Sequence, residues 1–327
     1  MTKLPASKHP FRGYCLIAAA AFLWGISAAL GRAVFTGRLA TLLPTLRPVD
    51  PLIVSQTRAT FSLLVLVPLV LLRRGTQGLR LPSRDLVRCL VIGLFGVAAS
   101  NYYYYLAIQK TNVATAIIVQ YTAPVWVLLY VVARGQQKIS LQKIAAVAVA
   151  LAGIALVIGL IGSGAGVSGL HLDPIGVSAA LIASFSFAFY NLAGHSVLAR
   201  YDRWRVLTWV LASAAAFWMF VNPPWKVAAA HYSGAQWAFL FVFSMISVLG
   251  AFSLYFSGLQ HIEPTRAIIA SCLEPVFSIM LAAALLGETL RPIQSLGIVL
   301  VLAAIVIVQF PDRRILADAI VIVEPIE

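Results

Sequence analysis

Glu274 is the acidic residue best placed for chemistry, because it lies within a long apolar stretch of the sequence. Ser271 precedes it by three residues and Ser278 follows it by four, so all three side chains share one face of a helix. A carboxyl group in this setting could bind the amine of a substrate or carry a proton. It could equally hydrogen-bond to a neighbouring helix as a structural contact, and the sequence leaves both roles open.

Two prolines, Pro124 and Pro275, occupy matching positions in two apolar segments. Each proline removes a backbone donor and frees the carbonyl four residues earlier, at Gln120 and Ser271 respectively. Helices interrupted at corresponding places in two halves of a chain indicate a transport site. The competing explanation is that these prolines only kink the helices and shape the bundle.

Amide and aromatic side chains at similar depth could complete a binding site. Asn101 is too polar to face lipid, and Tyr105 shares its helix face. Trp24 lies about eleven residues into its segment, away from the aromatic belts at the two membrane surfaces. For the tyrosines at 102–105, membership of such a belt is the alternative to a place in the binding site. The predicted substrate-binding residues are Trp24, Asn101, Tyr105, Gln120, Tyr121, Tyr190, Asn191, Ser271 and Glu274.

Arg58 is a basic residue about six positions inside its apolar segment. Its long side chain could extend to the membrane surface and keep the guanidinium in water. Alternatively, the guanidinium could pair with a substrate carboxylate in an outer vestibule. The sequence leaves both explanations open.

The composition indicates what kind of element must position these residues. Hydrophobic residues make up 61% of the 327 residues and charged residues only 11%, whereas globular proteins average about 25% charged. This small number of polar side chains could not cover a water-exposed surface. The sequence therefore predicts an integral membrane protein. The net charge of +13 does not indicate nucleic-acid binding, because the 24 Lys and Arg residues lie in short clusters between apolar runs.

Continuous apolar runs of about 20 residues predict helices that cross a hydrocarbon core of about 30 Å. The runs lack the alternating pattern of barrel strands, so the predicted class is all-α. The first run extends to about Phe35, which is too long for a cleaved signal peptide. The predicted transmembrane helices are 13–35, 52–72, 86–108, 113–133, 141–162, 174–198, 205–222, 236–258, 265–286 and 293–310.

The distribution of positive charge predicts the orientation. With ten crossings both termini lie on one side, and that side carries about 17 of the Lys and Arg residues against about 5 on the other. Positively charged connections stay in the cytoplasm, so both termini are predicted to be cytoplasmic.

An internal repeat predicts how the helices are organised. The segment 109–125 aligns with 260–276, with matching glutamines, alanines, isoleucines and prolines. These segments lie in the fourth and ninth predicted helices, and an odd number of helices per half inverts one half relative to the other. We therefore predict two inverted five-helix repeats around a central cavity. The predicted parts are an N-terminal tail 1–12, repeats 13–162 and 174–310 joined by an external linker 163–173, and a tail 311–327.

Two motifs carry a resemblance to a known family. The stretch YFSGLQHIEPTRAIIASCLEPVFSIMLAAALLGET spans residues 255–289, with LEPV at 273–276 and LGE at 286–288, and AFLWG occupies 21–25. These motifs resemble those of the EamA-type transporters of the drug/metabolite transporter superfamily. The long, proline-containing connection 36–51 departs from that pattern.

The resemblance implies a secondary carrier of the bacterial inner membrane that exports small metabolites, amino acids among them, by alternating access. A multidrug or cation efflux carrier is the alternative; a channel or scramblase and an intramembrane lipid-modifying enzyme are less favoured. Catalysis would need paired acids, a histidine cluster or a serine with a base at mid-depth, and the sequence offers one acid there and no histidine. The sequence therefore does not predict an enzyme.

Cofactors and partners follow from the same residues. The cysteines at 15, 89 and 272 lie alone in apolar stretches, so we expect no disulfide, metal or organic cofactor. The expected partners are a small-molecule substrate and the lipid bilayer, without nucleic acid, in a monomer or a homodimer.

Overall fold

A computed structural model describes residues 10–35, 49–110, 116, 119–136, 140–157, 173–286 and 292–309. These residues form helices joined by turns, without a strand in the described ranges. The predicted tails, the connection 36–51 and the linker 163–173 fall wholly or largely outside the described residues.

The helices are numbered in chain order. Two of them, α3 and α8, contain an inner π-helical segment, and α9 consists of two pieces. The bounds are α1 Pro10–Phe35, α2 Pro51–Arg74, α3 Ser83–Val91 with Ile92–Ala98 and Ala99–Lys110, α4 Ala123–Ala133, α5 Leu141–Val157, α6 Pro174–Leu198, α7 Arg203–Val221, α8 Gly234–Ser244 with Met245–Gly250 and Ala251–Leu259, α9 Pro264–Ser271 with Leu273–Leu286, and α10 Pro292–Gln309.

Six of the described helices are long and apolar enough to cross a membrane: α1, α2, α3, α6, α7 and α8. Three others, α4, α5 and α10, are shorter apolar helices. The all-α class predicted from the sequence agrees with these helices. The number of ten crossings stays a prediction.

Aspartates define where several helices begin. Asp50 accepts a hydrogen bond from the backbone N–H of Leu52 at 2.7 Å, and Asp173 accepts one from Ile175 at 2.9 Å. A proline follows each aspartate and provides a φ already suited to the first helical turn. Short local signals in the sequence therefore set the starts of α2 and α6.

Glycines allow the closest helix contacts. A Cβ at Gly153 of α5 would lie 2.8 Å from the carbonyl oxygen of Gly297 in α10. A Cβ at Gly25 of α1 would lie 2.7 Å from Phe277 in α9, and one at Gly93 of α3 would collide with the carbonyl oxygen of Val210 in α7. These glycines let backbones approach to distances that a side chain would forbid, which is how helices associate in lipid.

The connections at one end of the bundle are held together by charged side chains. Asp85 is buried and accepts hydrogen bonds from Arg88 at 2.8 Å, from Arg200 at 2.9 and 3.2 Å, and from the Tyr201 hydroxyl at 2.7 Å. The bond to Asp85 raises the pKa of the Tyr201 phenol, so the phenol stays a donor. The start of α3 is thereby fixed to the connection between α6 and α7.

Four irregular segments interrupt the helices within the described ranges. Tyr121 and Thr122 form a turn directly before α4, and Cys272 separates the two pieces of α9. The π-helical segments of α3 and α8, Ile92–Ala98 and Met245–Gly250, are the other two. In each half of the chain, a π-helical segment thus comes first and a helix break follows it.

Candidate functional site

A hydrogen bond connects the two helix breaks. The hydroxyl of Tyr121 donates to Oε2 of Glu274 at 2.7 Å. Tyr121 is buried at 4% exposure, whereas Glu274 is half-buried and lies in the first turn of the second piece of α9. The partial positive charge at that helix start favours a carboxylate there. Residues 153 positions apart in the chain thus meet in the tertiary structure.

Aromatic rings form a continuous wall beside this pair. The ring of Trp24 lies 5.4 Å from that of Phe252 and 5.1 Å from that of Tyr255, between centroids. Tyr190 stacks on Phe187 at 5.1 Å and lies 5.9 Å from Phe252 and 6.1 Å from Tyr255. We call these five residues the aromatic cluster. Such rings offer negatively charged π-faces, which attract cationic groups.

Asn191 presents an unused acceptor beside the aromatic cluster. Its Nδ2 donates to the Tyr255 hydroxyl at 2.5 Å, while its Oδ1 has no hydrogen-bond partner among the described residues. The side chain is fully buried. A buried acceptor without a partner costs about 1–3 kcal/mol, so this oxygen is suited to accept a donor from a bound molecule.

The other predicted residues occupy less central roles. Ser271 is buried and donates to the carbonyl oxygen of Ile268 in its own helix at 2.7 Å. Asn101 likewise donates to Val97 of its own helix at 2.7 Å. Gln120 reaches Ser100 of α3 at 3.5 Å, a weak contact. The side chain of Tyr105 lies outside the described residues.

The predicted kinks lie next to the helix breaks. Pro124 is the second residue of α4, directly after the turn at Tyr121 and Thr122. Pro275 lies three residues after Cys272, in the first turn of the second piece of α9. The missing proline donors fall where each helix restarts, and a helix start needs no such donor.

Arg58 faces the neighbouring helix. Its Nε donates to Oγ of Ser247 in α8 at 2.8 Å, and its NH2 group lies 3.4 Å from the Ser247 carbonyl oxygen. The guanidinium carbon also lies 5.6 Å from the ring centroid of Phe243. The structure therefore places Arg58 inside the bundle, against α8.

The predicted substrate-binding residues lack three members of the aromatic cluster, namely Phe187, Phe252 and Tyr255. A three-residue spacing puts Phe252 and Tyr255 on one helix face. Ser184 of α6 binds the Thr122 hydroxyl at 2.9 Å and accepts from Trp126 Nε1 at 3.0 Å. It thereby holds the break before α4 against α6. The spacing indicates a shared helix face but not the partners of these residues, because those partners come from other helices.

The geometry offers one carboxylate, one unused amide oxygen and an aromatic wall, in an interior formed by apolar helices. Among the described residues there is no group of three or more His, Cys, Asp or Glu side chains that could hold a metal ion.

The family comparison identifies the chain. The model of the EamA-like transporter family matches residues 11–159 and, a second time, residues 174–310. The chain belongs to the EamA-like transporter family. The resemblance found in the sequence motifs is thereby confirmed.

Relatives of this EamA-like transporter carry similar names. The uncharacterized inner membrane transporter YicL of Salmonella typhimurium is 24% identical over 233 residues, which cover 71% of this chain and 75% of YicL. An uncharacterized transporter of Archaeoglobus fulgidus is 24% identical and covers 79% of this chain and 86% of its own length. The uncharacterized inner membrane transporter YedA of Escherichia coli is 25% identical, with coverages of 83% and 87%.

A solved crystal structure has the same fold. It superposes with a TM-score of 0.72 at 20% identity and covers 92% of this chain and 97% of its own. The EamA-like transporter is therefore an integral membrane protein and a transporter, and the prediction that it is not an enzyme is confirmed.

Proposed function

We propose that this EamA-like transporter exports a small solute that carries an amine, with amino acids the favoured class, across the bacterial inner membrane by alternating access. The observation that carries the proposal is the Tyr121–Glu274 hydrogen bond, which joins the two helix breaks. A substrate amine would take the place of the Tyr121 hydroxyl at the carboxylate. The remaining predicted residues would line the route to this site.

The chemistry of the interior supports an amine. A carboxylate binds an ammonium group through a charge-assisted hydrogen bond. The unpartnered Oδ1 of Asn191 would accept a further N–H, and the aromatic cluster would pack on the substrate's apolar part. Intramembrane carboxylates are expensive to maintain without a role, which favours function over simple packing.

The repeated family match supports the proposed architecture. The same family model matches both halves of the chain, and each half contains one helix break and one π-helical segment. We therefore propose repeats at 13–162 and 174–310 that cross the membrane five times each in opposite senses, with both termini in the cytoplasm. Alternating access would then arise from rocking the two halves about the site between them.

A counterflow assay in proteoliposomes tests the proposal with three related probes. The probes are L-phenylalanine, its decarboxylated analogue 2-phenylethylamine, and benzyltrimethylammonium, which has no N–H. We expect saturable exchange of one or both amines, and a loss of at least roughly tenfold in Glu274→Gln, because the amide cannot provide the charge. Glu263→Gln, a half-exposed residue directly before α9, is the matched control and should exchange like the wild type.

The outcomes separate the proposal from its alternatives. Equal exchange by wild type and Glu274→Gln would remove Glu274 from the site. Preference for benzyltrimethylammonium would favour cation efflux, which the aromatic cluster also fits. Flux that does not saturate and is not inhibited by unlabelled probe would indicate a channel or scramblase.

A further inference from the structure

In α8, a π-helical segment lies directly before the two residues that this helix contributes to the aromatic cluster. Met245–Gly250 is π-helical, and Phe252 and Tyr255 follow within one and a half turns. A π-helical turn replaces the four-residue hydrogen bonds of an α-helix with five-residue ones and often occurs at functional sites. The orientation of both rings therefore depends on how this segment is held.

Arg58 holds this segment from α2. Its guanidinium directs Nε to the hydroxyl of Ser247 and NH2 to the carbonyl oxygen of the same residue, at 2.8 and 3.4 Å. It also lies over the ring of Phe243, one turn earlier in α8. A single side chain thus contacts the backbone, a side chain and a ring of the helix at its irregular turn.

A second contact lies one turn further along α2. Ser62 donates to the carbonyl oxygen of Ser244 at 3.2 Å, and both residues are fully buried. Because Arg58 and Ser62 are four residues apart, they lie on the same face of α2. The start of the π-helical segment is therefore attached to α2 at two points.

The π-helical segment of the first half has a corresponding attachment without the charge. Ser213 of α7 donates to the carbonyl oxygen of Leu90 at 2.7 Å, just before the π-helical segment of α3. The shift that aligns the sequence repeats also aligns Ser62 with Ser213, and it aligns Arg58 with Trp209. Trp209 donates instead to the carbonyl oxygen of Leu79 in a connection. Among the described residues, an arginine therefore holds the π-helical segment of α8 but not that of α3.

We propose that Arg58 is a positioning residue for transport: it fixes the π-helical segment of α8 and thereby the orientation of Phe252 and Tyr255, without binding the solute itself. The transport effect rests on the function proposed above, whereas the attachment to α8 stands on the contacts alone. The two explanations left open by the sequence, an arginine at the membrane surface and a ligand for a substrate carboxylate, are not required.

The planar shape of guanidinium determines which variants are informative. An arginine offers several N–H groups in a fixed fork, whereas a lysine offers one flexible ammonium at the same charge. Arg58→Lys therefore keeps the charge and weakens the attachment, and Ser247→Ala keeps Arg58 and removes its hydroxyl partner. Arg73→Lys, at the exposed end of α2, is the matched control.

The test combines hydrogen exchange with transport kinetics. We expect Arg58→Lys and Ser247→Ala to raise amide exchange over 245–250 by roughly tenfold, because a hydrogen bond to a charged group is lost or weakened. The maximal rate should fall for L-phenylalanine and 2-phenylethylamine by the same factor, with KM changing less. The double variant should be no worse than the more affected single variant, because both act through one contact.

Several results would overturn the proposal. Unchanged exchange over 245–250 in both variants would show that Arg58 does not fix the segment. A KM increase for L-phenylalanine without one for 2-phenylethylamine would make Arg58 a carboxylate ligand. If the wild type transports neither probe, the proposed solute class is wrong, and the exchange result alone then upholds or overturns the attachment.

Discussion

Replacing Tyr121 by phenylalanine tests the central hydrogen bond most directly. The substitution removes one hydroxyl and keeps the ring, which packs 6.1 Å from Phe187 between centroids. In our proposal the Tyr121 hydroxyl occupies the carboxylate of Glu274 while no solute is bound. Without it, an incoming amine no longer competes for that acceptor. We therefore expect Tyr121→Phe to bind an amine probe more tightly.

The size of the effect follows from the geometry. A hydrogen bond to a charged group contributes about 1.5–3 kcal/mol. Glu274 is half-buried, so water can replace the lost donor in part, and the lower figure applies. Because about 1.4 kcal/mol corresponds to a factor of ten, KM for 2-phenylethylamine should fall by roughly tenfold.

The assay is concentration-dependent counterflow of 2-phenylethylamine with purified variants in proteoliposomes. Tyr130→Phe, at the exposed far end of α4, is the control and should keep the wild-type KM. In Glu274→Gln the further change Tyr121→Phe should have little effect, because the two residues act through one bond. A higher KM in Tyr121→Phe would refute the reasoning, since the hydroxyl would then bind the solute rather than compete with it.

Three further substitutions test the packing that supports the site. Gly93→Ala should lower the unfolding free energy by about 1–3 kcal/mol, and with it the thermal midpoint, because the new Cβ would meet a backbone oxygen of α7. Gly234→Ala is the control: it has open space around it and should leave the thermal midpoint unchanged. Ser184→Ala should lose two hydrogen bonds of about 1 kcal/mol each and speed amide exchange at the break before α4, while Ser196→Ala on the exposed side of α6 should not. Asp85→Asn should lower the thermal midpoint and increase proteolysis of the adjoining connections, and unchanged values would mean that its ion pairs contribute nothing.

Much of the fold could be predicted from the sequence because it depends on local patterns. Apolar runs of membrane-crossing length give the helices, and Asp-Pro pairs give the starts of α2 and α6. A lone acid in an apolar run and two prolines in matching segments indicated the region of the site.

The partners of these residues could not be predicted in the same way. Arg58 illustrates the limit: its depth in the sequence suggested a membrane-surface or substrate contact, but the structure pairs it with Ser247 of α8. Phe252 and Tyr255 likewise enter the site because α8 turns that face toward α1 and α6. The sequence carries no local sign of such a pairing.

The amino-acid sequence by itself determined that this protein is helical, that apolar helices dominate it and that Glu274 lies within one of them, since hydrophobicity and helix period are properties of neighbouring residues. Only the tertiary structure decided that Glu274 meets Tyr121 and that Arg58 meets α8. The physical reason is that helices in lipid associate through close packing and hydrogen bonds between distant residues, and those contacts depend on the rotation and depth of each helix.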